Sequence, residues 1–199
     1  MARTSLLVRS GLWRVTRHAA VRRLAHRLAD AGVFVAQLDR FERAAGDTTP
    51  QYPQGVRLDI VPADTWVPDR LADAPLSPED VLVRAERDGE AVGYCCLSNR
   101  PVYVPELDRR VALSGAYLWR LFVVPAEREC GIGTAIIARA VAAAADELGA
   151  ERISALVAPD NLPSRAAFRG LGFRPTERFS SAGIGGWERH RHRHLTPSA

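Results

Sequence analysis

The sequence has no apolar run approaching the ~20 residues that a membrane-spanning helix needs, so no helical span is encoded. Cysteine is also scarce. Cys95, Cys96 and Cys130 are an odd number without metal-ligand spacing, which argues against both a disulfide-stapled domain and a zinc module. A reducing, cytoplasmic setting is therefore expected. Acidic residues are missing from residues 1–29, which hold seven arginines. Against a whole-chain balance of +4, those seven charges leave residues 30–199 at −3.

What is present is a core-forming composition and an uneven layout. With 199 residues and 47% hydrophobic content, the chain can bury about 70% of its unfolded surface. Val21, Leu24 and Leu28 recur at helical spacing opposite Arg22, Arg23 and Arg27, which predicts an amphipathic helix. A short strand is expected over residues 33–38. Residues 1–50 thus read as a basic extension and 51–199 as the main domain. The arm could dock its apolar stripe on that domain, lie on an anionic membrane surface, or track nucleic acid. Leu6, Leu7 and Leu12 are too few for a secretory signal core.

The most informative stretch is residues 118–137. Residues 118–124 are almost unbroken in apolar character, as a strand buried on both faces requires, and Pro125 ends the ladder by removing a donor. From Gly131 the pattern turns helical, with Ile137, Val141, Ala144 and Leu148 on one stripe and Gly149 as a stop. The first turn of such a helix has unpartnered N–H groups and the positive end of the dipole, so phosphate oxygens are favoured there. A dinucleotide fingerprint needs a third small residue, but Ile136 stands in that place.

Arg128-x-x-Gly131-x-Gly133 after a Val-x-Pro step resembles the cofactor motif of the GNAT acyltransferase superfamily. Downstream, Asn161-Leu-Pro-Ser164-Arg-Ala-Ala-Phe168-Arg-Gly-Leu-Gly172-Phe173 resembles the same family's second signature, Asn-x-x-Ser/Ala-x-x-x-Tyr-x-x-x-Gly-Phe. The resemblance covers about residues 56 to 190. It implies an α/β fold, a three-layer sandwich around a central mixed, mostly antiparallel sheet. It also implies transfer of an acetyl group from acetyl-CoA to an amine, less readily a hydroxyl, by direct attack.

On that resemblance, pyrophosphate would lie on the amides of Arg128, Glu129, Cys130, Gly131, Ile132, Gly133 and Thr134, with Glu129 turned outward. Pantetheine would pair with the main chain of Leu121, Phe122 and Val123, where one backbone N–H would face the thioester carbonyl. Asn161 would hold the acceptor or the pantetheine, and Phe168 would contact the cofactor. No metal is implied. The acceptor is a small-molecule or protein amine.

Two positions depart from the pattern. The family's tyrosine, which in many members protonates the departing thiolate, is Phe168, which leaves Ser164 and Tyr117 as candidate donors. The family's glutamate base falls on Trp119, so Glu106 and Asp108 are the nearest acidic suggestions. These departures keep a second reading open, a catalytically weak acyl-CoA-binding sensor. A third, a nucleic-acid-binding module, rests only on the arm.

The other elements are ordinary. Residues 56–60 read as a strand and residues 62–65 as the start of a short helix. Residues 81–86 and 90–97 form a hairpin around Asp88-Gly89, with Cys95 and Cys96 facing opposite sides. Residues 99–115 read as irregular. Strands are expected over 153–157, 174–180 and 187–192, a short helix from Pro163, and a flexible link over 181–186. His190, His192 and His194 alternate along the last strand and would share a face, but no carboxylate or cysteine joins them at metal-ligand spacing.

Overall fold

The computed structural model describes residues 34–46, 48, 52–71, 76–184 and 187–195. Ten strands and two helices follow in chain order: β1 (Phe34–Ala44), β2 (Val56–Pro62), β3 (Val81–Arg87), β4 (Glu90–Ser98), β5 (Val102–Val104), β6 (Arg109–Val111), β7 (Ala116–Val123), α1 (Ile132–Asp146), β8 (Arg152–Val157), α2 (Leu162–Gly170), β9 (Arg174–Ile184) and β10 (Trp187–His194). Eight strands make one sheet in the order β10-β9-β1-β8-β7-β4-β3-β2, and β5 and β6 form a separate hairpin. Among the described residues only β7 and β8 run parallel, so the sheet is mixed and mostly antiparallel, as expected.

The helices cover one face. In α1 the residues Ile136, Ile137, Val141 and Ala144 are fully buried, and they pack with Phe41, Val83, Leu97 and Ile153 from four strands. Each isoleucine, valine, leucine or phenylalanine side chain among them contributes about 1.5–3 kcal/mol on burial. Gly93 lets α1 and β7 close on β4, since a Cβ there would stand 2.9 Å from both Ile136 Cδ1 and the Phe122 carbonyl oxygen. Gly149, with φ +60°, ends the helix as its position suggested.

The opposite face carries a second cluster built on Tyr94, Cys96, Tyr117 and Trp119, and a third built on Leu38, Leu107 and Phe179. The β5–β6 hairpin and its 3-10 turn, Pro105–Leu107, pack over the third cluster. Cys95 and Cys96 point into the clusters on opposite faces, both fully buried.

Four local expectations change. Residues 62–65 form a turn, and the helical geometry comes later as a single 3-10 turn over Asp69–Leu71. Residues 99–115, expected to be irregular, contain β5 and β6; runs of three residues are too short to show a period of two. Ser181 to Ile184 continue β9 rather than forming a link. The strand expected over residues 33–38 runs to Ala44 and lies between β8 and β9, so residues 34–44 belong to the main sheet rather than to an extension. The predicted arm helix lies outside the described residues.

Strand β1 is held there by charge as well as by ladder bonds. Asp39 is fully buried, and it accepts from Arg165 of α2 at 2.7 Å and from Arg178 of β9 at 2.5 and 2.9 Å. Burial pushes the Asp39 carboxyl up, but the two guanidiniums outweigh that and hold its pKa below the usual value. The same triad fixes α2 on the sheet.

Candidate active site

The site begins where the one parallel pairing fails. β7 and β8 match only from Ala116–Ile153 to Leu118–Ala155, and beyond Leu118 the two strands part. The β8-facing main-chain edge of β7 past that point has no strand partner, while its other edge stays bonded to β4 through Tyr94 and Gly93. A cavity of about 490 Å³ occupies the gap, lined among others by Tyr117, Trp119, Leu121, Ala158 and Phe168.

At the end of β7 the chain turns through the 3-10 segment Pro125–Glu127 into α1. The Val124 amide donates to the Val92 carbonyl at 2.9 Å, and Glu127 pairs with Arg87 of β3, so the root of the loop is anchored. Glu129 (φ +67°) and Gly131 (φ +80°) are left-handed, a conformation from which loop amides can form an anion-binding concavity. Gly131 is the N-cap of α1. The helix has no side-chain cap and no acidic residue in its first turn, so its leading N–H groups are available to an anion. A Cβ at Gly133 would meet only Val123 Cγ2, at 3.7 Å. Glu129 is exposed, as its outward turn requires. Arg128 folds back, its Nε donating to the Val123 carbonyl at 3.0 Å. Cys130 is exposed at the same loop. These features suit a phosphate-bearing group in extended contact with β7.

The structure brings Leu121, Asn161, Ser164 and Phe168 together on the cavity wall; residues 128–134 are not part of that wall and follow the end of β7 at the start of α1. Phe122 and Val123 border the same strand end, with the Phe122 ring on the opposite face, 4.6 Å under the Arg70 guanidinium. Asn161 caps α2, its side-chain oxygen accepting from the Ser164 amide at 3.3 Å. Phe168 is 2% exposed and packs edge-on against Phe173, ring centroids 5.0 Å apart, which accounts for a hydrocarbon ring in that place. Trp119 cannot serve as a base; its indole N–H donates to Ser98 Oγ at 2.8 Å in the interior.

The candidate proton groups separate. Tyr117 lines the cavity, and burial together with the nearby Glu106 carboxylate pushes its pKa well up, so it stays protonated. Glu106 also lines the cavity, whereas Asp108 accepts from the Tyr103 hydroxyl and does not. Arg120 was not anticipated. It is a bulge residue in β7 with φ +56°, and it stands on the cavity wall. Its signal in the sequence was a single charge interrupting an apolar strand.

The Acetyltransferase (GNAT) family model matches residues 49–173, more than half of the chain. The chain belongs to the GNAT acetyltransferase family. Among solved structures, the fold of this GNAT protein is similar to that of a GCN5-related N-acetyltransferase from Kribbella flavida, with 20% identity over 82% of this chain and 64% of that one and a TM-score of 0.55. A tandem GNAT protein from the clavulanic acid biosynthesis pathway shares 15% identity over 97% and 73% of the two chains, with a TM-score of 0.52. A Drosophila protein shares 17% over 83% and 56%, with a TM-score of 0.53. The GNAT chain thus spans less than two thirds of the length of the Kribbella and Drosophila proteins. No curated protein matches its sequence significantly.

Among the described residues no group of three histidine, cysteine, aspartate or glutamate side chains could hold a metal ion. His192 and His194 instead approach Glu177, at 3.5 and 3.6 Å. No helix among those residues is long and apolar enough to cross a membrane.

Proposed function

We propose that this protein transfers an acetyl group from acetyl-CoA to an amine acceptor by direct attack within one cleft. The observation that carries the reading is the splay of β7 from β8 beside the uncapped start of α1, an open strand edge leading to a ring of amides. Acetyl-CoA supplies the activated acetyl group and a thiol that leaves without strong acid assistance, since thiols ionise near pH 8.5.

The residues of this chain do the rest. Amides of residues 128–134 bind the pyrophosphate, and the main chain of Leu121, Phe122 and Val123 aligns the pantetheine. An N–H of the same strand meets the oxygen on which charge develops, an effect worth about 3 kcal/mol elsewhere. Asn161 and Ser164 border the reacting end. Glu106 takes the proton of the incoming amine, which must be neutral to attack and which, with a pKa near ~10.4, is mostly charged at pH 7. Tyr117, kept protonated, donates a hydrogen bond rather than a proton. The family match and the open cleft favour turnover over a sensor that only binds. Thiol release from acetyl-CoA, measured with full-length protein over a panel of amines, tests this. The reading expects release that depends on the amine; amine-independent release, or none with acetyl-CoA bound, contradicts it.

A further inference from the structure

We propose that the acceptor is zwitterionic, an amine that also bears a carboxylate, with Arg120 holding the carboxylate and Glu106 facing the amine. The proposal rests on the acetyl-transfer reading and names its substrate class.

Only two of the cavity-lining residues carry a charge, and their signs are opposite. Arg120 comes from the bulge of β7 and Glu106 from the turn between β5 and β6. Both are exposed, and neither forms an ion pair or a side-chain hydrogen bond among the described residues, whereas the buried charges Asp39, Arg40, Glu42 and Asp80 are matched by protein partners. The remaining wall combines the buried Tyr117, Trp119, Val102 and Val104 with the polar side chains of Asn161 and Ser164. A cavity of mixed polarity that presents one cation and one anion without protein partners is complementary to a molecule carrying both charges and an organic side chain.

The bulge explains how Arg120 gets there. Trp119 pairs with Cys96 and Phe122 with Tyr94, so β7 spends three steps where β4 spends two. The extra residue is left-handed, a conformation that residues with a side chain rarely adopt. Its guanidinium is close enough to Tyr94, Cys96 and Tyr117 to draw all three pKa values down against the opposing effect of burial. Those three side chains belong to the face opposite α1, which is also where Glu106 lies. The pyrophosphate loop lies beyond Val123, past the end of the strand, and Arg120 stands before Leu121 within it. Arg120 is therefore a specificity-determining residue of the cavity wall, to which residues 128–134 do not contribute.

The test compares paired ligands that differ only in the carboxylate: tyrosine with tyramine, arginine with agmatine, lysine with cadaverine. Binding is measured by calorimetry on the full chain, with and without coenzyme A, and turnover by thiol release. In at least one pair the carboxylated member should be favoured by about 10- to 100-fold, the range of a hydrogen bond between charged groups. Arg120→Gln should reduce that member to the level of its amine, Arg120→Lys should restore part of the preference, and Glu106→Gln should weaken the amino acid toward the matching hydroxy acid. Equal affinities in every pair, no binding by any member, or a preference unchanged in Arg120→Gln would overturn the proposal. If amino acids bind with that preference but acetyl-CoA does not bind, the transfer reading falls and the zwitterion site stands.

Discussion

The two ends of the cleft are built by different means. At the α1 end, recognition is by main chain: an open strand edge, a loop with two left-handed residues, and the uncapped first turn of a fifteen-residue helix. At the other end it is by side chains that converge from distant segments, Arg120 from a bulge, Glu106 from a short turn and Tyr117 from the strand floor. A main-chain site depends on which residues permit a backbone path, so it constrains glycine and proline positions and binds a constant group. A side-chain site can be rebuilt by substitution while the backbone stays put, so it is where specificity resides.

The sharpest break between the two ends is Gly131→Val. A β-branched residue in the left-handed region strains the loop and shifts its amides, and misplacement of about 1 Å costs roughly 10²-fold in rate. We expect kcat/KM for acetyl-CoA to fall by about that factor while amino acid binding in calorimetry stays within threefold. Equal losses at both ends would show that the two are not independent.

The second prediction concerns the frame that both ends share. Asp39→Ala leaves Arg165 and Arg178 without their buried counter-charge, which typically costs about 3–5 kcal/mol. The melting temperature should drop by roughly 10 °C. Because the folded pKa of Asp39 lies below its unfolded value, the stabilisation is present above about pH 4 and is lost as pH falls through the folded pKa. Asp39→Asn should therefore flatten the acid side of the stability curve; an unchanged curve would mean that the triad contributes nothing.

The same contrast governs what could be read in the sequence. The turn into α1, α1 itself, the β3–β4 hairpin and the α2 helix were legible because each is local, fixed by a glycine, a proline or a helical stripe within about fifteen residues. The cavity was only partly legible. Asn161, Ser164 and Phe168 came from a motif, but Arg120 acts through a bulge defined by the register of β4, which a single strand does not reveal. The placement of β1 was hidden for a similar reason. Asp39 and Phe41 stand two apart and share one buried face, a charge beside an aromatic that no period-two pattern signals, and only their partners Val157 and Ala155 place the strand beside β8.

Smaller effects sharpen the assignment of proton roles. Tyr117→Phe removes one hydrogen bond donor and should lower kcat about fivefold without moving the alkaline limb of the pH profile, because burial keeps that hydroxyl protonated. A loss beyond 10²-fold together with disappearance of that limb would make Tyr117 the acid instead.

The smallest effect distinguishes the thiols. Cys130 is exposed at the cradle, whereas Cys95 and Cys96 are buried and the Cys96 pKa is pushed up to about 12, chiefly by burial. Mass spectrometry after brief iodoacetamide treatment should find one adduct, at Cys130, and coenzyme A should slow its formation. Labelling at Cys95 or Cys96 in folded protein would contradict the packing of β4.

Amide hydrogen exchange with and without acetyl-CoA tests the central claim most directly, because the cradle is made of N–H groups. The account predicts protection concentrated in peptides covering residues 120–124 and 128–134, with little change in β9 and β10. Saturating acetyl-CoA that left those two segments unprotected, or protected a different part of the sheet, would contradict it.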